Sequence, residues 1–284
     1  MPCTHMSWNI NTVLFFHSMQ VLENVSTEKE VYTICDQHVL CTRVNRDVSA
    51  LAPCSHEEAD TRIMLHAIDA TNKGFRGIMI RTVDTDVLVL AVSNCALLNE
   101  AELWIAFGTG KHLRYIPTHD IAASLGEAKA RALPMFHAFT GCDTVSSFAG
   151  RGKKTAFEVW NSFQEITTVF AALSTRPTTF SEEFMKVIES YVVLLYDRTC
   201  TESSVDSARK HIFAAKARSI DAIPPTQAAL LQHTKRAILQ GGCVRTSTYL
   251  FSRDSVTGIM GLEKEAKARM GFEMYVPLSL QRQL

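Results

Sequence analysis

Between Gly77 and Leu90 the chain reads GIMIRTVDTDVLVL, two apolar runs parted by Asp84 and Asp86. A carboxylate taken out of water without a partner loses its hydration, so this pair must sit where solvent, a cation or a donor reaches it. The first run, ending at Thr82, has the length and side chains of a buried strand. Open α/β sheets collect ligands outside the carboxyl ends of their strands, which is where this reading puts the two acids.

The flanking segments support an α/β fold with a mainly parallel sheet. Ser55 and Glu58 make a capping box, and Ala59, Ile63, Ala67 and Ala70, with Met64 and Ile68 beside them, form a helical stripe that ends at Asn72-Lys73-Gly74. Strands are predicted at Gly77–Thr82, Glu102–Phe107 and Leu113–Ile116, with the run after Asp86 as a helix. Helices follow through Leu125 and over Ala128–Phe139, interrupted at Gly126. Upstream, β-branched residues on either side of Asp36-Gln37-His38 predict a hairpin or two short strands, and Val13 to Leu22 an amphipathic helix.

Beyond Thr140 the pattern turns helical, with helices predicted at Thr155–Phe163, Ser181–Asp197, Ser203–Arg218 and Thr226–Gln240. The expected organisation is an N-terminal segment 1–30, an α/β core 31–140, a helical part 141–240 and a tail 241–284 without a clear pattern. Gly150-Arg151-Gly152-Lys153-Lys154 opens the first of these helices. Backbone N–H groups at such an opening, with cations beside them, hold phosphate without reading a base.

Composition narrows the function classes. Lys plus Arg equal Asp plus Glu at 29 each, so no global field draws the chain to nucleic acid and any such site is local. No apolar run approaches a membrane span, no secretory leader is evident, and the eight cysteines lack a Cys-x-x-Cys pair. These features predict an intracellular protein, nuclear or cytoplasmic, with reduced and mostly buried thiols. Cys54 and His56 are zinc-ligand types, but no second pair completes a tetrahedral set. His66, His119 and His137 are read as capping or packing residues, Met135 and Phe136 as core, and Trp104 and Trp160 as structural.

Glu58, Asp60, Asp84, Asp86 and Asp143 form an ordered acidic series. Carboxylates gathered in one cleft need a countercharge, and oxygen-only ligands select Mg²⁺ or Mn²⁺. Two such ions about 3.5–4 Å apart generate a hydroxide and stabilise the leaving oxygen in phosphodiester hydrolysis. Read singly, the same residues are ordinary structural acids: Glu58 a cap, Asp60 a dipole partner, Asp84 and Asp86 helix caps, Asp143 a turn residue.

Taken in order, HEEAD at 56–60, VDTD at 83–86, FTGCD at 139–143 and GRGKKTA at 150–156 resemble the flap endonuclease branch of the PIN-like nucleases. The resemblance covers roughly residues 53–162. It implies a PIN-like α/β core followed by a helix–hairpin–helix. Glu58 and Asp60 would be the first metal-site pair, Asp84 and Asp86 the second, and Asp143 the last ligand. Gly150, Arg151, Gly152, Lys153 and Lys154 would grip the backbone of duplex or junction DNA. The family carries a further Asp at the end of its first strand, whereas only Asp36 and Asp47 precede Glu58 here. The acidic set expected from the resemblance is therefore incomplete, and two outcomes stay open: a Mg²⁺- or Mn²⁺-dependent structure-specific nuclease, or a PIN-like module that binds nucleic acid or protein without cleaving. The chain is also similar to a group of animal sequences carrying HEEADTR, DTDVLVL and TGCDT. A third reading rests on a resemblance to haloacid-dehalogenase phosphohydrolases, with Asp84 as nucleophile. That family expects Thr or Val where this chain has Leu88.

Overall fold

The computed structural model describes residues 30–249, apart from 36–37, 44, 46, 53–58, 99, 176–179 and 217–221. The expected N-terminal helix, the Ser55–Glu58 capping box and the Cys54/His56 pair lie outside the described residues. The chain forms one compact unit through Thr248. A second, Tyr249–Leu284, lies outside the description save for Tyr249.

A hairpin comes first, β1 (Tyr32–Cys35) antiparallel to β2 (His38–Cys41), as the β-branched pattern predicts. Helix α1 (Ala59–Asn72) then leads into β3 (Gly77–Thr82), α2 (Thr85–Asn94), β4 (Glu102–Phe107), β5 (Arg114–Pro117) and the paired helices α3 (Thr118–Leu125) and α4 (Glu127–Phe139). Gly126, at φ +75°, parts α3 from α4, a conformation that costs a residue with a Cβ. The protein is α/β, as expected.

The sheet is mixed rather than mainly parallel. Its order is β3-β4-β5, with β3 parallel to β4 (Ile80 beside Ile105) and β4 antiparallel to β5 (Ala106 beside Tyr115). The reason is loop length: α2 lies between β3 and β4 and supplies the long crossover a parallel pair requires. Only residues 108–113 join β4 to β5, too few to cross over.

One core lies where α1 and α2 cover the sheet, with Met64, Ala67, Val87 and Leu90 packed on Ile80, Leu103 and Ile105. In α1 the buried line is Thr61, Met64, Leu65, Ala67 and Thr71. Leu65 turns toward the hairpin core with Val39 and Leu51, so α1 serves two cores and its stripe is shifted from the expected one.

The second core is helical: α5 (Lys153–Ser162), α6 (Glu165–Leu173), α7 (Glu182–Tyr196), α8 (Val205–Lys216) and α9 (Gln227–Tyr249). It begins inside α4, with Ala132, Met135, Phe136 and Phe139. Trp160 is fully buried, stacked on Phe136 at 4.7 Å, and its indole N–H donates to Thr167 Oγ1 at 2.8 Å. Met135, Phe136 and Trp160 are thus the core residues the sequence predicts. Helix α6 escapes the sequence reading, although Ile166, Val169, Phe170 and Leu173 mark one helical face. Helix α9 runs on through Gly241 and Gly242, past the predicted end at Gln240. A Cβ at Gly241 would stand 3.0 Å from Met135 Cα, so the glycine lets α9 approach α4. Among the described residues no helix is long and apolar enough to cross a membrane.

Candidate functional site

Asp84 is the N-cap of α2. It takes the extended conformation (φ −93°, ψ 130°) and its carboxylate accepts the Asp86 backbone N–H at 2.8 Å, while its own N–H donates to Thr82 Oγ1 at 3.0 Å. The strand therefore ends in a built turn that points Asp84 to solvent and places Asp86 in the first helical turn, a favourable position for a negative charge.

Asp86 is half-buried and faces α4. Its Oδ1 accepts from His137 Nε2 at 2.8 Å. The hydrogen bond from His137 and the positive charges of His137 and Lys153 hold the Asp86 carboxyl below the ordinary carboxylate range, against the opposing effect of burial. A small notch opens beside the pair, lined by Val89, Pro134, Ala138, Gln240 and Gly241 as well as the two partners. His137 is thus a hydrogen-bond partner of the central acid, not the packing residue the sequence reading expects. Its only sequence signal is its place in the helical turn just before Thr140-Gly141.

Lys153 closes the other side. Its ammonium donates to the His137 carbonyl at 2.7 Å and to Thr140 Oγ1 at 3.0 Å, capping the C-terminus of α4. Burial lowers its pKa from the ordinary lysine value, against the attraction of Cys142 and Asp86. Three stretches far apart in sequence, at Asp86, His137–Thr140 and Lys153, therefore meet at the end of β3.

Thr140 leads into Gly141, at φ +107°, where a Cβ would stand 2.7 Å from Ser147 Cβ. Cys142 and Val145 exchange two backbone hydrogen bonds and close a turn that holds Asp143 exposed at its tip. The loop ends in the cationic stretch, whose members have different tasks. Arg151 lies over the Tyr196 ring at 4.9 Å and donates to the carbonyls of Gly150 and Tyr196, so it packs against α7. Gly150 turns the chain at φ +66°, and Gly152 is the N-cap of α5 without a side-chain cap. Lys154 is exposed. Both lysines expected to grip a phosphate backbone are exposed, but the Lys153 ammonium is turned back onto the end of α4.

Asp60 is half-buried in the first turn of α1, and Glu58 lies outside the described residues. Among the described residues no three His, Cys, Asp or Glu side chains gather where they could hold a metal ion. His119 Nδ1 donates to the Leu103 carbonyl at 3.0 Å and the ring meets Trp104 edge-on, as a packing residue would. Cys200 is buried, whereas Cys41, Cys95 and Cys142 are half-buried, so the described thiols are less buried than expected.

Comparison with protein-family models, with curated proteins and with solved structures returned no match to this chain.

Proposed function

We propose that this chain is a PIN-like module of the flap endonuclease type that engages nucleic acid at the start of α5, beside the acidic end of β3, without cleaving it. The contacts of Asp86 with His137 and of Lys153 with His137 and Thr140 support the PIN-like reading, because the resemblance requires the Asp84–Asp86 turn, the stretch leading into Gly141 and the start of α5 to lie together. The occupation of Asp86 by His137 at 2.8 Å carries the non-cleaving reading. An imidazole N–H donating to a carboxylate competes with a metal for the same oxygen, and Asp84 already serves its own helix as a cap. Phosphate contact would fall to Lys154 and to the backbone N–H groups of α5 beyond Gly152.

The second reading is metal-dependent hydrolysis of phosphodiester bonds. Asp84, Asp86 and Asp143, with Glu58 and Asp60, would hold Mg²⁺ or Mn²⁺, and His137 would yield Asp86 to the ion. The exposed carboxylates of Asp84 and Asp143 favour it. Flap, junction and single-stranded oligonucleotides, incubated with the protein and Mg²⁺ or Mn²⁺, separate the two. Asp84→Ser keeps the helix cap and removes the carboxylate, so a loss of activity in it reports chemistry rather than folding. Salt-sensitive binding without cleavage supports the first reading. Metal-stimulated cleavage abolished by Asp84→Ser and Asp143→Asn replaces it with the second. Absence of binding to every oligonucleotide removes both.

A further inference from the structure

The two faces of the three-stranded sheet are treated differently. Ile80, Leu103 and Ile105 lie under α1 and α2, as described above. The opposite face carries Met79, Arg81, Trp104 and Tyr115, with Val83 and Leu113 at the strand ends. Met79 is 62% exposed, Val83 67%, Tyr115 57% and Leu113 37%. Four of the seven large apolar side chains exposed among the described residues therefore gather on one face, where a parallel strand pair is normally covered. Arg81 stands exposed among them with no ion pair to a described residue. Glu102, at the start of β4, accepts from the Trp104 indole N–H at 3.3 Å and bounds the face at that end.

We infer that this face is a self-association surface whose occupant is a second copy of the chain, packed sheet on sheet about a two-fold axis along β4. The register carries the argument. Arg81, Ala106 and Tyr115 form one row across the sheet, and Met79, Trp104 and Pro117 another. A two-fold axis along the central strand lays β3 of one copy over β5 of the other and keeps each row in place. Arg81 then meets the Tyr115 ring of the second copy, and the reverse contact repeats it. Val83 meets Leu113, Met79 meets Pro117, and the Trp104 side chains meet near the axis. Each apolar group finds an apolar group, and Arg81 finds an aromatic ring. Rotation about an axis across the strands pairs Arg81 with Met79 instead and gains no such contact. Met, Arg, Tyr and Trp, which make up the centre of the face, are the residues enriched in protein interfaces.

The size of the face sets the strength. Three strands at ~4.8 Å spacing and about six residues at ~3.4 Å rise give a patch of roughly 15 by 20 Å per copy. That is below the roughly 800 Å² per partner of a standard stable interface, so the association is weak and concentration-dependent.

Sedimentation equilibrium from low micromolar to high micromolar protein tests it, with circular dichroism as the check on folding. The wild type shifts from monomer to dimer across that range. Arg81→Glu and Tyr115→Lys each remove both cation–ring contacts and raise the dissociation constant about tenfold or more. The double variant R81E/Y115K sets the introduced carboxylate of one copy against the introduced ammonium of the other and recovers most of the loss. A monomer at every concentration, a dimer indifferent to both single substitutions, or a double variant no tighter than the singles overturns the arrangement. A monomer that instead loses oligonucleotide affinity in Arg81→Glu or Tyr115→Lys assigns the face to nucleic acid, and also overturns it.

Discussion

The carboxylate of Asp86 and the imidazole of His137 meet at 2.8 Å across the packed surfaces of α2 and α4, and this contact joins the strand-end acids to the helix that enters the Thr140–Asp143 loop. It ties the α/β core to the helical core at the residue expected to matter most for function. Its consequences are measurable even where no ligand is known.

Asp86 stabilises the fold only while ionised. Its folded pKa is depressed, chiefly by the hydrogen bond from His137, so the unfolded chain takes up the proton first as the pH falls. The contribution is fully present above the ordinary carboxylate pKa of about 3.9 and is lost as the pH falls through the lower folded value. Urea denaturation of the wild type and Asp86→Asn, run across acid pH, should show a difference of about 1–2 kcal/mol near neutrality that shrinks below the carboxylate range. A difference that persists undiminished well below the carboxylate range would contradict the pairing.

Lys153 and Lys154 are neighbours with opposite expected phenotypes. Lys153→Met removes the cap on α4 and should cost about 1–2 kcal/mol in chemical denaturation, with little change in oligonucleotide affinity. Lys154→Ala should leave stability nearly unchanged and weaken binding at low salt more than at high salt. The reverse pattern would mean that the contact of Lys153 with the end of α4 is not kept in the bound state.

His233 supplies a second pH signature in a different range. It is buried on α9, with Nε2 at 2.8 Å from the Phe139 carbonyl and Nδ1 at 3.4 Å from Ser146 Oγ. Burial depresses its pKa, with the charge of Arg236 adding to the effect and the hydrogen bond to Phe139 opposing it. The neutral ring is the folded form, so its stability contribution is complete above about pH 6.5 and falls away as the pH drops through the lower folded value. Thermal melts from pH 7.5 to about 5 should fall more steeply for the wild type than for His233→Gln, which can still donate to Phe139. Parallel slopes would remove His233 as the cause.

Glu189 is a buried carboxylate with a structural task. It accepts the Val205 N–H at 2.9 Å and the Gln227 side-chain amide at 2.7 Å, so one side chain on α7 caps α8 and holds the start of α9. Glu189→Ala strands both donors and should cost about 2–4 kcal/mol by urea denaturation. Gln227→Ala should cost about 1 kcal/mol, because the Val205 bond survives. Equal losses in the two variants would place the energy in the Gln227 contact alone.

The sequence by itself determined the elements along most of the described chain. Period and turn residues placed β3 and β4 at their observed bounds and α4 within a residue, because alternation, helical stripes and glycine breaks are local properties. Asp84 could be read as a cap from its place before an apolar helix, and the structure places it there. Pairings across the chain were beyond reach. Nothing local distinguishes a packing histidine from the partner of Asp86, or an outward lysine from one that turns back onto the helix before it. Burial and direction are set by which helix packs on which. The mixed sheet belongs to the same class, since the antiparallel return of β5 depends on whether its short loop can cross over. Sequence supplied the acids and the basic loop; the tertiary packing of α4 against α2 decided which of them meet, because desolvation and partner choice arise only when the elements dock.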